Sequence, residues 1–275
     1  MRTKYPGRAV ALLTLCLTGC ASPSRRPADP VRVLVYNIHA GKDAARVDNL
    51  ERVAEIIRSS QAEIVMLQEV DNKTRRSGGV DQLSRLRDLT GMHGVFGKAI
   101  EYDGGEYGTA VMSRWPIASS IFALLPGKID QPIGRGGYEA RGALIARIKS
   151  PGQSIRVVNT HLDASRSDSN RLMQGNELIA LANVQRKNGF TIVGGDLNSE
   201  PDSPLAHLFE QNGWRDMFVA CGQENGFSFP ADKPVKRIDY LFAGPRTACK
   251  SAKVLETHAS DHRPVLFEVV PAGRD

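Results

Sequence analysis

The run Val31-Arg32-Val33-Leu34-Val35-Tyr36-Asn37-Ile38 opens directly after Pro30 and stops at the turn-forming pair Ala40-Gly41. It is β-branched, apolar and bounded as a buried strand is bounded. Beyond the turn, Val47, Leu50, Val53, Ala54 and Ile57 recur at helical spacing and present one apolar face. Ile64-Val65-Met66-Leu67-Gln68-Glu69 is a second strand, polar only at its C-terminal end. A strand, helix, strand unit of this kind sets Asn37, His39 and Glu69 at strand ends, where side chains converge on a crevice.

The rest of the chain alternates in the same manner. Val80, Leu83, Leu86 and Leu89, stopped by Gly91, predict a short helix, and residues 169–187 a long one. Further strands are expected at 108–113, 143–149, 155–162, 191–197, 237–242 and 264–270. Many strands with a few interspersed helices predict an α/β protein in which two mixed sheets pack face to face, helices outside. Without repeats or low-complexity blocks, residues 31–275 read as a single domain.

Composition excludes a good deal. Apolar residues make up 41% of the 275 and charged residues 24%, which rules out a disordered, collagen-like or multi-span membrane chain. The 36 basic against 30 acidic residues, a net charge of +6, suggest nucleic acid as a partner until their positions are considered. Arg2, Lys4 and Arg8 precede the apolar residues 9–17, a stretch the length of a signal-peptide core and too short to span a bilayer. Leu17-Thr18-Gly19-Cys20 resembles a bacterial lipobox, so residues 1–19 are expected to be a lipoprotein signal and Cys20 its lipidated residue. The alternative is a plain secretory signal with an incidental cysteine. Residues 20–30, small, polar and Pro-rich, suit a flexible tether. Ser22 after Ala21 favours the outer membrane in a Gram-negative host. Residues 31–275 hold 31 basic and 29 acidic residues, so little of the basicity belongs to the folded body.

Cys16 lies in the signal, and lipidation would consume Cys20, leaving Cys221 and Cys249. In an oxidising envelope they either form a disulfide or remain two separate buried thiols. Neither has His or Cys neighbours at zinc-site spacing.

Polar residues of one chemical kind end nearly every expected strand: Asn37 and His39; Gln68 and Glu69; Glu106 and Tyr107; Glu139 and Arg141; Asn159, His161 and Asp163; Asp196 and Asn198; Asp239; Asp261 and His262. Scattered burial without partners would cost several kcal/mol apiece, on the order of 2–7, whereas one shared pocket satisfies them together. Carboxylate and amide oxygens without Cys suit Mg²⁺, with Mn²⁺ or Ca²⁺ as alternatives, better than zinc. Two His and an Arg beside such an ion are what phosphate-ester hydrolysis requires. The chain has no Gly-x-Ser-x-Gly, and Gly134-Arg135-Gly136-Gly137 and Gly104-Gly105 lack the Lys-Ser/Thr of a P-loop.

Six segments, in order, resemble the endonuclease/exonuclease/phosphatase family: Tyr36-Asn37-Ile38-His39, Leu67-Gln68-Glu69-Val70, Asn159-Thr160-His161-Leu162-Asp163, Gly194-Gly195-Asp196-Leu197-Asn198, Arg237-Ile238-Asp239-Tyr240 and Ser260-Asp261-His262-Arg263-Pro264. The resemblance implies a four-layer α/β/β/α sandwich. It implies Glu69 as principal metal ligand with Asn37 beside it and Asp261 facing the metal. Asp196 and Asn198 would orient the attacking water and the phosphate; His262 would act as base or charge stabiliser, held by Asp239. His161 would contact the phosphate opposite His262, with Glu106 orienting it. Asn37, His39 and Arg141 would contact substrate or support the carboxylates. Abasic-site enzymes resemble Asn-x-Asp where this chain has Asn37-Ile38-His39, which argues against abasic-site repair.

The expected protein is therefore an envelope-anchored, metal-dependent phosphodiesterase, acting as a monomer on nucleic acid or a phospholipid head group. A catalytically silent binding protein that keeps the fold is the alternative; retention of Glu69, Asp196 and His262 speaks against it. Lys73-Thr74-Arg75-Arg76 either guides an anionic substrate or forms a solvated loop. His93, His207 and His258 are expected at the surface, Trp115 and Trp214 as packing aromatics at turns.

Overall fold

The computed structural model describes residues 29–127, 139–184, 190–223, 225–245 and 247–270, together with Met1. The signal at 1–19, Cys20 and most of the tether lie outside the described residues, as does Gly134-Arg135-Gly136-Gly137.

The opening unit forms as its pattern predicts: β1 (Val31–Asn37), α1 (Leu50–Ser59) and β2 (Ile64–Asn72), with β1 and β2 parallel. Next come α2 (Gln82–Thr90), β3 (His93–Tyr102), β4 (Gly105–Ser113) and β5 (Ile117–Leu124). A second parallel unit follows: β6 (Gly142–Ser150), β7 (Gln153–His161), α3 (Ser169–Asn183) and β8 (Phe190–Asp196). The chain continues through α4 (Pro204–Gln211), β9 (Arg215–Asp216), α5 (Met217–Ala220), β10 (Asp239–Ala243), β11 (Ala248–Val254) and β12 (Val265–Val270). The helix expected at 169–187 is described to Asn183, and 185–189 lie outside the described residues.

The two six-stranded sheets run β11-β12-β1-β2-β4-β3 and β5-β6-β7-β8-β10-β9. Each carries a parallel strand pair at its third and fourth positions, bridged by a helix; every other pairing is antiparallel. Strand alternation assigns the layers. In β1, Val33 and Val35 enter the apolar layer between the sheets, while Leu34 and Tyr36 face α1 and α2. In the second sheet Val157 and Ile192 point inward, while Val158 and Val193 pack with Leu178, Phe209, Trp214 and Phe242 on the α3 and α4 side. Three apolar layers between four structural ones give the α/β/β/α sandwich expected from the sequence.

Cys221, just after α5, and Cys249, on β11, form a disulfide with Cα atoms 5.1 Å apart. It ties the end of the second sheet that holds β9 to the β11 edge of the first. His93, His207 and His258 are exposed, Trp214 is buried, and Trp115 packs against the inter-sheet layer.

Candidate active site

The C-terminal ends of both parallel pairs meet at one rim of the sandwich. There a cleft of about 330 Å³ is lined by Glu69, Asp196, Asn198, His161, Asp261 and His262, with Arg76, Tyr102, Tyr107, Glu139, Arg141, Ala164 and Phe229 completing its walls.

Backbone geometry delivers these side chains. Pairing of β2 with β4 slips between Leu67 and Val70, a bulge that sends Gln68 into the protein and turns Glu69 toward the cleft. Glu69 takes φ +56°, and His39 (+48°), Ala40 (+55°) and Asn198 (+49°) share the left-handed region. Each such residue costs about 1–3 kcal/mol; these four lie at or beside the site, while Arg46, Gln61, Lys73 and Asp103 take the same region elsewhere in the chain. Beneath the rim, Gln68 Nε2 donates to Asn159 Oδ1 at 2.7 Å, and Asn159 Nδ2 donates to the carbonyls of Leu67 and Ala110, both at 2.9 Å. This buried amide layer fixes one sheet to the other directly below the cleft. The glycines before Asp196 permit close strand approach: a Cβ on Gly195, at φ +131°, would lie 1.9 Å from the Thr160 carbonyl oxygen.

Asn37 is fully buried behind the cleft, where its Nδ2 donates to Glu69 Oε1 at 3.1 Å and Asp196 Oδ2 at 3.0 Å. One amide thus gathers two carboxylates from different sheets. Its Oδ1 accepts from the His39 amide at 3.1 Å. His39 sits beside Asp261, 3.8 Å away, and neither it nor Asn37 is part of the cleft lining. Asn198 donates its backbone N–H to Asp196 Oδ1 (2.9 Å) and its side-chain amide to the Leu162 carbonyl (3.1 Å).

Across the cleft, His262 Nδ1 lies 2.9 Å from Asp239 Oδ2, an oxygen that also accepts from Ser228 Oγ at 2.5 Å. Burial pushes the His262 ring down, but the facing Asp239 carboxylate, with Asp196 and Asp261, outweighs it and holds the ring up to about 10. His262 is therefore an imidazolium near neutrality, its Nε2 3.6 Å from Asp196 Oδ2. His161 Nε2 approaches the same oxygen at 3.5 Å. Burial, then the nearby Arg141 and His262 charges, hold His161 well below the ordinary histidine range, so it is neutral. Burial pushes Asp196 up to about 7, aided by Asp239 and opposed by His262. Arg141 pairs with Glu139 at 2.9 Å. Burial raises Glu139, with Arg141 acting the other way.

Two expectations change. Glu106 does not orient His161: it accepts from Asn72 at 2.8 Å and faces Lys98 at 3.4 Å, because the β4 pleat turns Tyr107 toward the cleft instead. The Lys73–Arg76 run divides, since Arg75 turns out to Asp103 while Arg76 lines the cleft. Tyr102, Ser228 and Phe229 lie in segments where the sequence predicts no strand, and sequence reasoning missed them.

The donors fit a hard divalent cation. Glu69, Asp196 and Asp261 bring carboxylate oxygens to one cleft, and Mg²⁺ needs only one or two of them besides water and substrate oxygens. Asp196, Asp239 and His262 also bring potential ligand atoms within 4.8 Å of one another. There, however, Asp239 and His262 are already bound to each other, and an imidazolium is no ligand. Glu69 and its neighbours are the better-suited set.

Comparison with known proteins agrees with this geometry. The Endonuclease/Exonuclease/phosphatase family matches residues 34–262. Uncharacterized protein YbhP of Escherichia coli (strain K12) is 28% identical over 251 residues, covering 86% of this chain and 95% of YbhP. Sphingomyelinase C of Bacillus cereus is 25% identical over 177 residues, 54% of this chain and 50% of that enzyme. The crystal structure of an endonuclease/exonuclease/phosphatase from Beutenbergia cavernae DSM 12333 shares the fold, with a TM-score of 0.75 at 23% identity, over 89% of this chain and 72% of that one.

Proposed function

The chain belongs to the Endonuclease/Exonuclease/phosphatase family, whose enzymes hydrolyse phosphate esters, and on that premise we propose that it is a divalent-metal-dependent phosphodiesterase anchored in the bacterial cell envelope. The observation that carries this reading is the meeting of Glu69, Asp196, neutral His161 and the Asp239-held imidazolium of His262 in one cleft.

A divalent cation, held by Glu69 with Asp261 nearby and Asn37 supporting from behind, supplies charge neutralisation to the phosphate when bound. The protein's own groups supply the rest. His161 and His262 both direct Nε2 toward the space beside Asp196. His262, cationic, stabilises the charge that grows on the phosphate oxygens; His161, neutral, donates a hydrogen bond to them without repelling the cation. Asp196, its affinity for a proton raised by burial, orients a water for attack on phosphorus and receives its proton. Asp239, itself bound by Ser228, fixes the orientation of the His262 ring and holds its proton on Nδ1.

Nucleic acid and phospholipid head groups are the two candidate diesters. Hydrolysis of bis-p-nitrophenyl phosphate, plasmid DNA and sphingomyelin, with Mg²⁺ and with EDTA, tests the reaction, and Glu69→Ala and His262→Ala test the site. Activity that survives EDTA and both substitutions refutes the mechanism. The lipobox-like Cys20 supports the anchor; Cys20→Ser should move the protein from the membrane fraction to the soluble one, and unchanged partitioning refutes that part.

A further inference from the structure

Arg76 is a cation of the cleft wall that the hydrolytic scheme leaves unused. It leaves β2 seven residues after Glu69, in the turn before α2, and is held from three sides. Its Nε and Nη2 donate to the two oxygens of Asp71 at 2.8 and 2.7 Å, and Asp71 is fully buried and also accepts from Thr74 Oγ1 at 2.7 Å. Its backbone N–H donates to Asp103 at 2.7 Å. Its guanidinium lies over the rings of Tyr102 and Tyr107, 4.5 and 5.2 Å from their centroids. A two-point fork on a buried carboxylate removes most of the freedom of a long side chain, so the cation is fixed before any ligand arrives. That fork uses Nε and Nη2 and leaves Nη1 without a hydrogen-bond partner among the described residues.

Resting on the phosphodiesterase reading, we propose that Arg76 is a specificity-determining residue that binds a second anionic group of the substrate, such as a neighbouring phosphate. The same arrangement selects against a choline head group. Tyr102 and Tyr107 could have formed an aromatic face for a quaternary ammonium, but Arg76 already occupies both rings and denies that face to a second cation. The site therefore favours polyanionic diesters, polynucleotides above all, over zwitterionic lipids.

Three esters with one leaving group test this in the Mg²⁺-loaded enzyme: thymidine 5′-(p-nitrophenyl phosphate), its 3′-phosphorylated form, and p-nitrophenylphosphorylcholine. Release of p-nitrophenolate reads kcat/KM for each. The wild type should prefer the 3′-phosphorylated ester over its unphosphorylated parent by about tenfold or more, the worth of one hydrogen bond between charged groups. Choline should be the poorest substrate. Arg76→Met should bring the 3′-phosphate preference close to one through KM and improve the standing of the choline ester. Because Arg76→Met strands the buried Asp71 charge, the double variant Asp71→Asn/Arg76→Met supplies a neutral background in which the same loss of preference is expected. Arg75→Met, on the exposed neighbour, should keep the wild-type preference.

A wild type that hydrolyses all three esters without preference overturns the proposal, as do variants that lower all three rates in proportion. A wild type that hydrolyses none of them overturns the phosphodiesterase reading beneath it.

Discussion

Replacing Asp239 by Asn separates the charge of the His262 pair from its shape, since the amide keeps the volume and can still accept one hydrogen bond. In the folded protein His262 is held up to about 10, against 6.5 for a free imidazole. A difference of that size corresponds to roughly 5 kcal/mol of preference for the protonated ring in the fold. Because the folded value is the raised one, this stabilisation is complete below pH 6.5 and is lost as pH rises through about 10. With the Asp239 charge gone, the two largest raising influences on the ring go with it and burial is opposed only by Asp196 and Asp261, so the alkaline loss should shrink. Asp196 is held up to about 7, so its titration fades as pH rises above 7 and pH 7–10 is the window in which the His262 titration is the larger of the two. Urea unfolding of wild type and Asp239→Asn, in EDTA at intervals across that window, should show the wild-type advantage shrinking by several kcal/mol toward pH 10, within the roughly 5 kcal/mol bound. At pH 7.5 with Mg²⁺, kcat/KM for the variant should fall by about two to four orders of magnitude, the scale seen when an orienting carboxylate beside a catalytic histidine becomes an amide. A stability difference that stays constant from pH 7 to 10 would refute the assignment of an Asp239-stabilised imidazolium.

The remaining predictions address the neutral histidine, the cross-link and the strand packing. The His161 ring, lowered by burial and by Arg141 and His262, should show no NMR titration between pH 8 and 6; an inflection near 6.5 would contradict it. Reducing the Cys221–Cys249 bond, which spans 28 residues, should lower stability by about 3–4 kcal/mol on the chain-entropy estimate. For a domain of this size that is a fall of roughly 7–14 °C in Tm by calorimetry. Neither cysteine lines the cleft, so kcat of the reduced, still-folded enzyme should match that of the oxidised one. Gly194→Ala should give little folded protein by circular dichroism, because its Cβ would sit 2.1 Å from the Tyr240 carbonyl oxygen; a well-folded variant would show that β8 and β10 can part without loss of the sheet.

The eight strands legible in the sequence are the eight inner strands of the two sheets, and the four it did not disclose, β3, β5, β9 and β11, are the four edges. An inner strand here is covered on both faces by an apolar layer, so β1 and β8 read as nearly unbroken hydrophobic runs. An edge strand gives up that pattern to avoid pairing with other chains. β11 spends Lys250, Ser251 and Lys253 on it, β5 carries the exposed Ser119 and Ser120, and β9 is two residues long. The edges were hidden because the physics that makes a strand visible, burial on alternating or both faces, is what an edge lacks.

The site divides along the same line. Asn37, His161 and Asp196 close inner strands, Glu69 follows the apolar run of β2 and Asp239 opens β10, places where a polar residue bordering an apolar run must find a partner, and so they announce themselves. Arg76, Ser228 and Phe229 lie in connections, where no periodicity sets the direction of a side chain. In the basic run 73–76 the deciding fact is Asp71, two residues earlier in the chain and fully buried, which can satisfy its charge only by drawing a cation inward. Five positions on, in the turn before α2, Arg76 can reach it, whereas Arg75 pairs with Asp103 at the surface. Charge runs become informative about function once a buried counter-charge nearby dictates which member must turn in, and that same pairing is what holds Arg76 rigid in the cleft wall.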